Sequence, residues 1–150
     1  MHLLKVIVCS FAFVAVSASS AYAGPYTDEL SKCLVDSTSV RDRAALVRWM
    51  FAAISLHPAV KSLASVSKEQ LEEANKGMAE LSMKLLTDSC RSETKKALKY
   101  EGAVTIEASF NVLGQVAGRE LFADSEVSAG ISNLDKYFDK NELKSLVEKD

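Results

Sequence analysis

The sequence predicts an all-α fold, a compact bundle of about six or seven helices closed by one disulfide. Helix starts carry a recognisable signature, a small polar N-cap residue followed three positions later by an acid or amide. The signature occurs at three places, Ser39 with Asp42, Ser67 with Gln70, and Asp139 with Glu142. Apolar residues also recur at steps of three and four over long stretches, as they do on one face of a helix.

The first 23 residues are typical of a cleaved signal peptide. A short start containing Lys5 precedes an apolar run from Val6 to Val16, and small residues follow up to Ala23. A membrane-spanning helix needs about 20 apolar residues, and serines interrupt this run earlier. The order of these zones predicts cleavage after Ala23. We therefore expect a periplasmic protein, with residues 24–150 forming a single helical domain that has no integral membrane segment.

The first two helices of this domain have clear limits in the sequence. The first is expected from Asp28 to Val35. The second follows Ser39 and is expected to end near Leu56, because the residue before Pro58 disfavours helical backbone. We expect His57, at the end of that helix, to bind its last carbonyl groups.

The third helix is predicted to begin near residue 68 and to be amphipathic. Its expected buried stripe consists of Leu71, Ala74, Met78, Leu81 and Leu85. Two pairs of opposite charge four residues apart, Glu72 with Lys76 and Glu80 with Lys84, are expected on its surface. Gly77, inside this helix, predicts close packing against a neighbour.

The stretch from Val104 to Val112 is ambiguous, because apolar and polar residues alternate there as in a strand. No other part of residues 24–150 alternates as well, and a strand needs a partner. We therefore predict a helix continuing to about Phe122. Its apolar residues cover so wide an arc that we expect it to be central and largely buried. Gly114 and Gly118 then predict close internal packing.

Shorter helices are expected from Glu93 to Tyr100, from Ser125 to Tyr137 and from about residue 140. Two cysteines, Cys33 and Cys90, lie outside the predicted signal peptide. Disulfides persist in the compartments that exported proteins reach. We therefore predict a Cys33–Cys90 disulfide that ties the first helix to the end of the third.

The charge pattern argues against binding to nucleic acid. The chain carries 18 Lys and Arg against 20 Asp and Glu, for a net charge of −2. A protein that follows a phosphate backbone concentrates its basic residues on one face, whereas here they alternate with acids. The same mixing argues against an anionic membrane surface.

The sequence predicts neither a metal site nor a cofactor. Outside the predicted signal peptide the only histidine is His57, and phosphate-binding, dinucleotide-binding and zinc-protease motifs are missing. The acids near the C-terminus include Asp135 and Asp139, but the spacing from Asp139 places Leu143 and Lys144 where a calcium loop needs a ligand and a glycine.

A catalytic carboxylate pair, made of Glu101 and Glu107, is the main enzymatic alternative, since glycoside cleavage needs only two acids. The lone Trp49 lies in a strongly apolar stretch and is expected in the core rather than in a saccharide cleft. Arg48 and Glu107 are each more simply interpreted as half of an internal ion pair. We therefore expect no catalytic residues.

A second alternative is a carrier of a small apolar ligand such as a lipid, because helical bundles build cavities from apolar side chains. Met50, Phe51, Met78 and Met83 are the candidates to line such a pocket. Methionine and phenylalanine at helical spacing more often fill a core.

Several short motifs resemble small uncharacterised exported helical proteins of Gram-negative bacteria. They are Leu30-x-x-Cys33-Leu34-Val35, Leu46-Val47-Arg48-Trp49-Met50-Phe51, His57-Pro58, Tyr100-Glu101-Gly102 and Leu113-Gly114-Gln115-Val116. The resemblance implies a periplasmic location and carries no activity.

These observations together predict a periplasmic, non-enzymatic protein that acts by binding another protein. An immunity protein or inhibitor of an envelope-directed toxin or lytic enzyme is the most concrete form of this hypothesis, since such proteins need only a complementary surface.

Overall fold

The computed structural model describes residues 24–147, and within them all regular structure is helical, as predicted. The α-helices are α1 (Pro25–Asp36), α2 (Val40–Ile54), α3 (Lys68–Lys84), α4 (Arg91–Tyr100), α5 (Val104–Ala123), α6 (Ser125–Ser132) and α7 (Lys140–Val147). A π-helical turn over Leu85–Ser89 joins α3 to α4, and a 3-10 turn over Asn133–Tyr137 follows α6. The predicted signal peptide lies outside the described residues.

Local capping explains where several helices begin. Ser39 accepts the backbone N–H of Asp42 at 3.2 Å, and the Asp42 carboxylate accepts the N–H of Ser39 at 2.9 Å. Ser67 and Gln70 exchange the same two hydrogen bonds at the start of α3. Both predicted capping boxes are therefore confirmed. At α7, Asp139 Oδ1 accepts the N–H groups of Asn141 and Glu142, which confirms its role as N-cap.

The buried core is formed mainly by α1, α5 and the segment from α3 to α4. The fully buried members have no exposed surface: Leu30 and Leu34 of α1, Leu85 of the π-helical turn, Cys90 immediately before α4, Ala97 of α4 and Leu113 of α5. The amphipathic face predicted for α3 is confirmed, since Leu81 and Leu85 are buried and Met78 packs against the core. Helices α1 and α5 make the most extensive contact.

The disulfide between Cys33 and Cys90 is present as predicted, with the Cα atoms 5.9 Å apart. Cys33 lies near the end of α1 and Cys90 immediately before α4. At the opposite ends of the same two helices, Glu101, the C-cap residue of α4, accepts hydrogen bonds from backbone N–H groups at the start of α1. Helices α1 and α4 therefore run antiparallel and are joined at both ends.

The burial predicted for α5 is wrong. One narrow stripe, Thr105, Ser109, Leu113 and Ala117, is buried against the rest of the fold, whereas Val112 and Leu121 are both 37% exposed. Two hydroxyl residues are buried because each has a backbone acceptor. Thr105 Oγ1 donates to the Gly102 carbonyl at 2.9 Å, and Ser109 Oγ donates to the Thr27 carbonyl at 3.2 Å. Their small side chains bring α5 close to α1.

The close packing predicted for Gly77, Gly114 and Gly118 is also wrong. A Cβ atom added at any of the three would meet no neighbouring atom within 4 Å. Gly24 differs, since a Cβ there would overlap the Glu101 carboxylate. Gly102 has φ of 86°, the left-handed conformation that favours glycine, and it ends α4.

Three other details differ from the predictions. Helix α2 ends at Ile54, because the N–H groups of Leu56 and His57 bond to carbonyls three residues back and tighten the chain into turns. The helix predicted from Ser125 to Tyr137 changes to a 3-10 turn at Asn133. On α3, Lys76 pairs with Glu80 at 4.0 Å rather than with Glu72.

The last part of the described chain, residues 124–147, extends from the end of α5, and we call it the C-terminal arm. Helix α6 contacts α5 and the 3-10 turn, and α7 is joined to the 3-10 turn by an ion pair between Lys140 and Asp135. Neither α6 nor α7 contains a buried residue. No helix within the described range is long and apolar enough to cross a membrane.

Replacing both Cys33 and Cys90 by alanine should lower the free energy of unfolding by about 4 kcal/mol in the chain-entropy model, because the cross-link closes a long loop. Urea unfolding followed by circular dichroism measures this difference. Wild-type protein treated with a reductant should show the same loss. Equal midpoints for the oxidised protein and the variant would contradict it.

Candidate functional site

A groove of about 900 Å³, open to solvent along one side, lies between α2, α3 and α5. Its apolar surface comes from half-buried side chains that also pack on the core, namely Trp49, Met50, Met78 and Phe110. Gly114 lies at its α5 wall and leaves space where a side chain would stand. The groove is thus an apolar depression formed by three helices.

Trp49 packs against the core, as expected, but it is only half-buried and also lines this groove. Its indole Nε1 donates to Asn75 Oδ1 of α3 at 2.9 Å, at the exposed edge of the groove. The position suits an indole, whose apolar ring can be buried while its N–H reaches a polar partner. At the edge of the fold, Trp49 satisfies its polar atom and still covers core residues.

Polar residues surround the apolar part of the groove. They are Asn75, Ser82, Glu107, Asn111 and Gln115. Glu107 is exposed, and so is Arg48, which lines a second, smaller depression between α2 and α3. The predicted internal ion pairs of Arg48 and Glu107 are therefore wrong. Instead, Arg43 Nε, on a side chain with only 15% exposure, contacts Glu120 Oε2 at 2.7 Å.

Only part of the predicted apolar-ligand pocket exists. Met50 and Met78 share the groove. Phe51 is 57% exposed and lines the smaller depression instead, while Met83 is 58% exposed. Helical periodicity alone did not predict this division, because it gives no information about which neighbour covers each face.

Glu101 has a structural role that the sequence did not predict. Its Oε1 accepts the Tyr26 N–H at 2.9 Å, and its Oε2 accepts both the Thr27 N–H at 2.9 Å and the Thr27 hydroxyl at 2.6 Å. The first N–H groups of a helix lack partners within the helix. Glu101 thus caps α1 from 75 residues away in the chain, where Gly24, as N-cap residue, has no side chain to do so.

The pKa of Glu101 argues against a catalytic pair made of Glu101 and Glu107. Desolvation by itself raises the pKa of Glu101, but the hydrogen bonds from the Thr27 side chain and from the Tyr26, Thr27 and Gly24 backbones lower it, and the net pKa is below the ordinary value. A general acid requires a raised pKa. Glu101 is ionised, and both of its carboxylate oxygens accept hydrogen bonds from residues of α1. It therefore does not suit the role of a general acid.

A ring contact reinforces the same junction. The Tyr26 and Tyr100 rings stack with centroids 4.8 Å apart and planes at 24°, and Lys99 Nζ lies 5.0 Å from the Tyr100 centroid. The start of α1 and the end of α4 are therefore held together by both polar and aromatic contacts.

His57 does not bind the carbonyls at the end of α2, so that expectation is wrong. It is exposed, and its Nδ1 accepts the N–H of Ala59 at 3.2 Å. The hydrogen bond that His57 makes thus goes to the chain after the helix and not to the last carbonyls of α2. The residue stabilises the turn after the helix.

The acids near the C-terminus are likewise used in local contacts. Asp135 Oδ2 pairs with Lys140 Nζ at 3.1 Å, and Asp139 caps α7. The described part of the chain contains no group of three or more His, Cys, Asp or Glu that is placed to hold a metal ion.

Comparison with known proteins provides no relative: no family model, no curated protein and no solved structure matches the chain.

The most conspicuous surface feature, the C-terminal arm, was not predicted to be exposed. Its exposed apolar side chains are Ile131, Leu134, Tyr137, Phe138, Leu143, Leu146 and Val147. Periodicity predicted helices here, and an amphipathic helix normally packs its apolar face on a core. The sequence shows that such a face exists but not whether the same chain covers it.

Replacing Glu101 by glutamine should destabilise the fold at neutral pH, because an amide is a weaker acceptor for the α1 N–H groups. The folded-state pKa of Glu101 is lowered, so its contribution is present above the unfolded pKa and is lost as pH falls through the folded value. Thermal unfolding from pH 7 downwards should show the two proteins converging. Glu107→Gln is the control, and an equal effect there would contradict the prediction.

Gly114→Ala should raise the free energy of unfolding by up to about 1 kcal/mol, because alanine favours helix and its Cβ meets nothing within 4 Å. Gly24→Ala should lower it, since the new Cβ displaces the Glu101 carboxylate. Urea unfolding of both variants compares them directly. A destabilising Gly114→Ala would show that the groove is narrower than described.

Proposed function

We propose that this chain is an exported, non-enzymatic protein that acts by binding another protein. In its most concrete form, the partner is an envelope-directed toxin or lytic enzyme and the chain is its immunity protein or inhibitor. The periplasmic location follows from the predicted signal peptide. The observation that carries the binding function is the C-terminal arm.

The arm supports the proposal through its composition and its position. Tyr137 and Val147 are 83% and 82% exposed, and neither helix of the arm has a buried residue. Exposed apolar side chains concentrated in one segment are typical of interaction sites. Aromatic side chains contribute most to binding energy at protein interfaces, and Tyr137 and Phe138 stand next to each other in the middle of the arm.

Charged residues are interspersed among these apolar side chains. Asp135, Lys136 and Lys140 lie beside the two aromatic residues, and the Asp135–Lys140 pair is more than two-thirds exposed at both partners. A charged rim around apolar anchors favours one partner over others and increases the rate of encounter. The arrangement agrees with a specific protein partner.

A second candidate function, a carrier of a small apolar ligand, is favoured by the groove. Its volume of about 900 Å³ lies within the range of small-molecule sites, which is roughly 300–1,000 Å³. Ligand sites usually enclose most of their ligand, whereas this groove is open along one side. The groove therefore supports the carrier less well than the arm supports a protein partner.

The test is affinity capture with the tagged, exported protein from envelope extracts and from the secreted fractions of neighbouring strains. Phe138→Ser with Tyr137→Ser should lose a stoichiometric partner that the wild type retains, while circular dichroism stays unchanged, because these side chains are exposed. Leu63→Ser is the matched control, since Leu63 is 82% exposed in the turns after α2.

Capture that survives the arm variant would show that binding uses another surface. Native mass spectrometry of the same preparations tests the carrier. A copurified lipid or pigment, displaced in Met78→Glu but not in the arm variant, would favour the second candidate and contradict the first.

A further inference from the structure

We propose that Glu101 is the receptor for the α-ammonium group that signal-peptide cleavage creates at Gly24. The proposal rests on the predicted cleavage after Ala23 and not on the identity of a binding partner. It assigns to Glu101 a second ligand besides the N–H groups of α1, a primary ammonium supplied by the processed chain itself.

The geometry at Gly24 carries this inference. Gly24 is the N-cap residue of α1, and its backbone is among the groups that lower the pKa of Glu101. Its Cα is so close to the carboxylate that an added Cβ would overlap Glu101 Oε1. The nitrogen of Gly24 is thus already next to a carboxylate that also accepts the N–H groups of Tyr26 and Thr27.

Cleavage changes the charge of that nitrogen. Hydrolysis of the Ala23–Gly24 bond by water, catalysed by a signal peptidase, breaks the C–N bond and leaves a carboxylate on Ala23. The Gly24 nitrogen becomes an amine, and it is mostly protonated at neutral pH because an α-amino group has a pKa of about 8. A neutral N–H donor next to Glu101 is thereby replaced by a cation.

Helix dipoles make Glu101 a necessary partner for this cation. A positive charge is unfavourable at the N-terminus of α1, and a negative charge is unfavourable at the C-terminus of α4. Glu101 stands at the C-cap of α4, and Gly24 at the N-cap of α1. When the two groups pair, each cancels the other's unfavourable interaction, and the hydrogen bond between them becomes charge-assisted.

The two lysines near the end of α4 have partners other than the Glu101 carboxylate. Lys96 is paired with Glu29 at 3.6 Å, and Lys99 lies over the Tyr100 ring. The titratable groups on the ends of these elements that meet here are Tyr26, Asp28 and Glu29 on α1, Lys95, Lys96, Lys99 and Tyr100 on α4, and Glu107 in the first turn of α5. Within residues 24–147, the hydrogen bonds to the Glu101 carboxylate come from Tyr26 and Thr27.

The test uses the full gene, with the protein exported and purified from the periplasm. Intact mass should correspond to a chain that begins at Gly24. The α-amine of Gly24 is then titrated by NMR in protein labelled with ¹³C and ¹⁵N glycine. Its pKa should lie above the ordinary value of about 8 in the wild type and in Glu107→Gln, and should return to that value in Glu101→Gln.

A one-residue insertion separates this role from capping. An extra glycine between Ala23 and Gly24 moves the ammonium about 3.5 Å along the chain but leaves Glu101 and its Tyr26 and Thr27 donors in place. The processed wild type should be more heat-stable than this insertion variant at pH 7. Because pairing raises the pKa of the amine, the difference should be full below about pH 8 and vanish as pH rises through the folded value.

An amine pKa that is the same in wild type and Glu101→Gln would overturn the proposal, and so would a different N-terminus. Equal thermal stability of the wild type and the insertion variant at every pH would overturn it too. These measurements do not depend on affinity capture. The proposed binding function can therefore fail while this inference holds, and this inference can fail while the proposed binding function holds.

Discussion

The fold depends on the attachment of α1 to α4 at both ends. Leu30 and Leu34 of α1 are completely buried, yet this helix is followed by α2 and α3 before the chain returns to its neighbour. The Cys33–Cys90 bond fixes one end, and the Glu101 carboxylate, together with the Tyr26–Tyr100 stack, fixes the other. Between these attachments, α5 packs against α1, and Ser109 of α5 donates a hydrogen bond to the Thr27 carbonyl, so that the apolar face of α1 is covered.

Much of this fold could be predicted from sequence because the signals are local. The capping boxes at Ser39 and Ser67 join residues three positions apart, and the stripe of α3 repeats within one helix. The errors occurred where the deciding neighbour is remote. Ser109 is buried with its hydroxyl donating to the backbone carbonyl of Thr27, 82 positions away in the chain, and a hydropathy pattern contains no information about that acceptor.

Prediction of the candidate site from sequence is limited in the same way. The sequence identifies the apolar residues that form the groove and the arm, but it does not show which of them are exposed. Trp49, expected in the core, packs against it but also lines the groove, where its N–H donates to Asn75 of another helix. Glu101 is a candidate catalytic acid from sequence because it lies near the predicted central helix with a second acid, Glu107, and the structure shows it binding the start of α1 instead. In both cases a polar partner from a different element decides the role of the residue.

The position of the disulfide has a consequence for when folding is completed. Cys90 is wholly buried and Cys33 is on the first helix, so the cross-link joins the beginning of the fold to its middle. In a reducing cytosol thiols stay reduced, so the chain would lack this stabilisation there. On the proposed route of export, its native state would become most stable only after it has crossed the membrane. The bond would then link the completion of folding to the compartment.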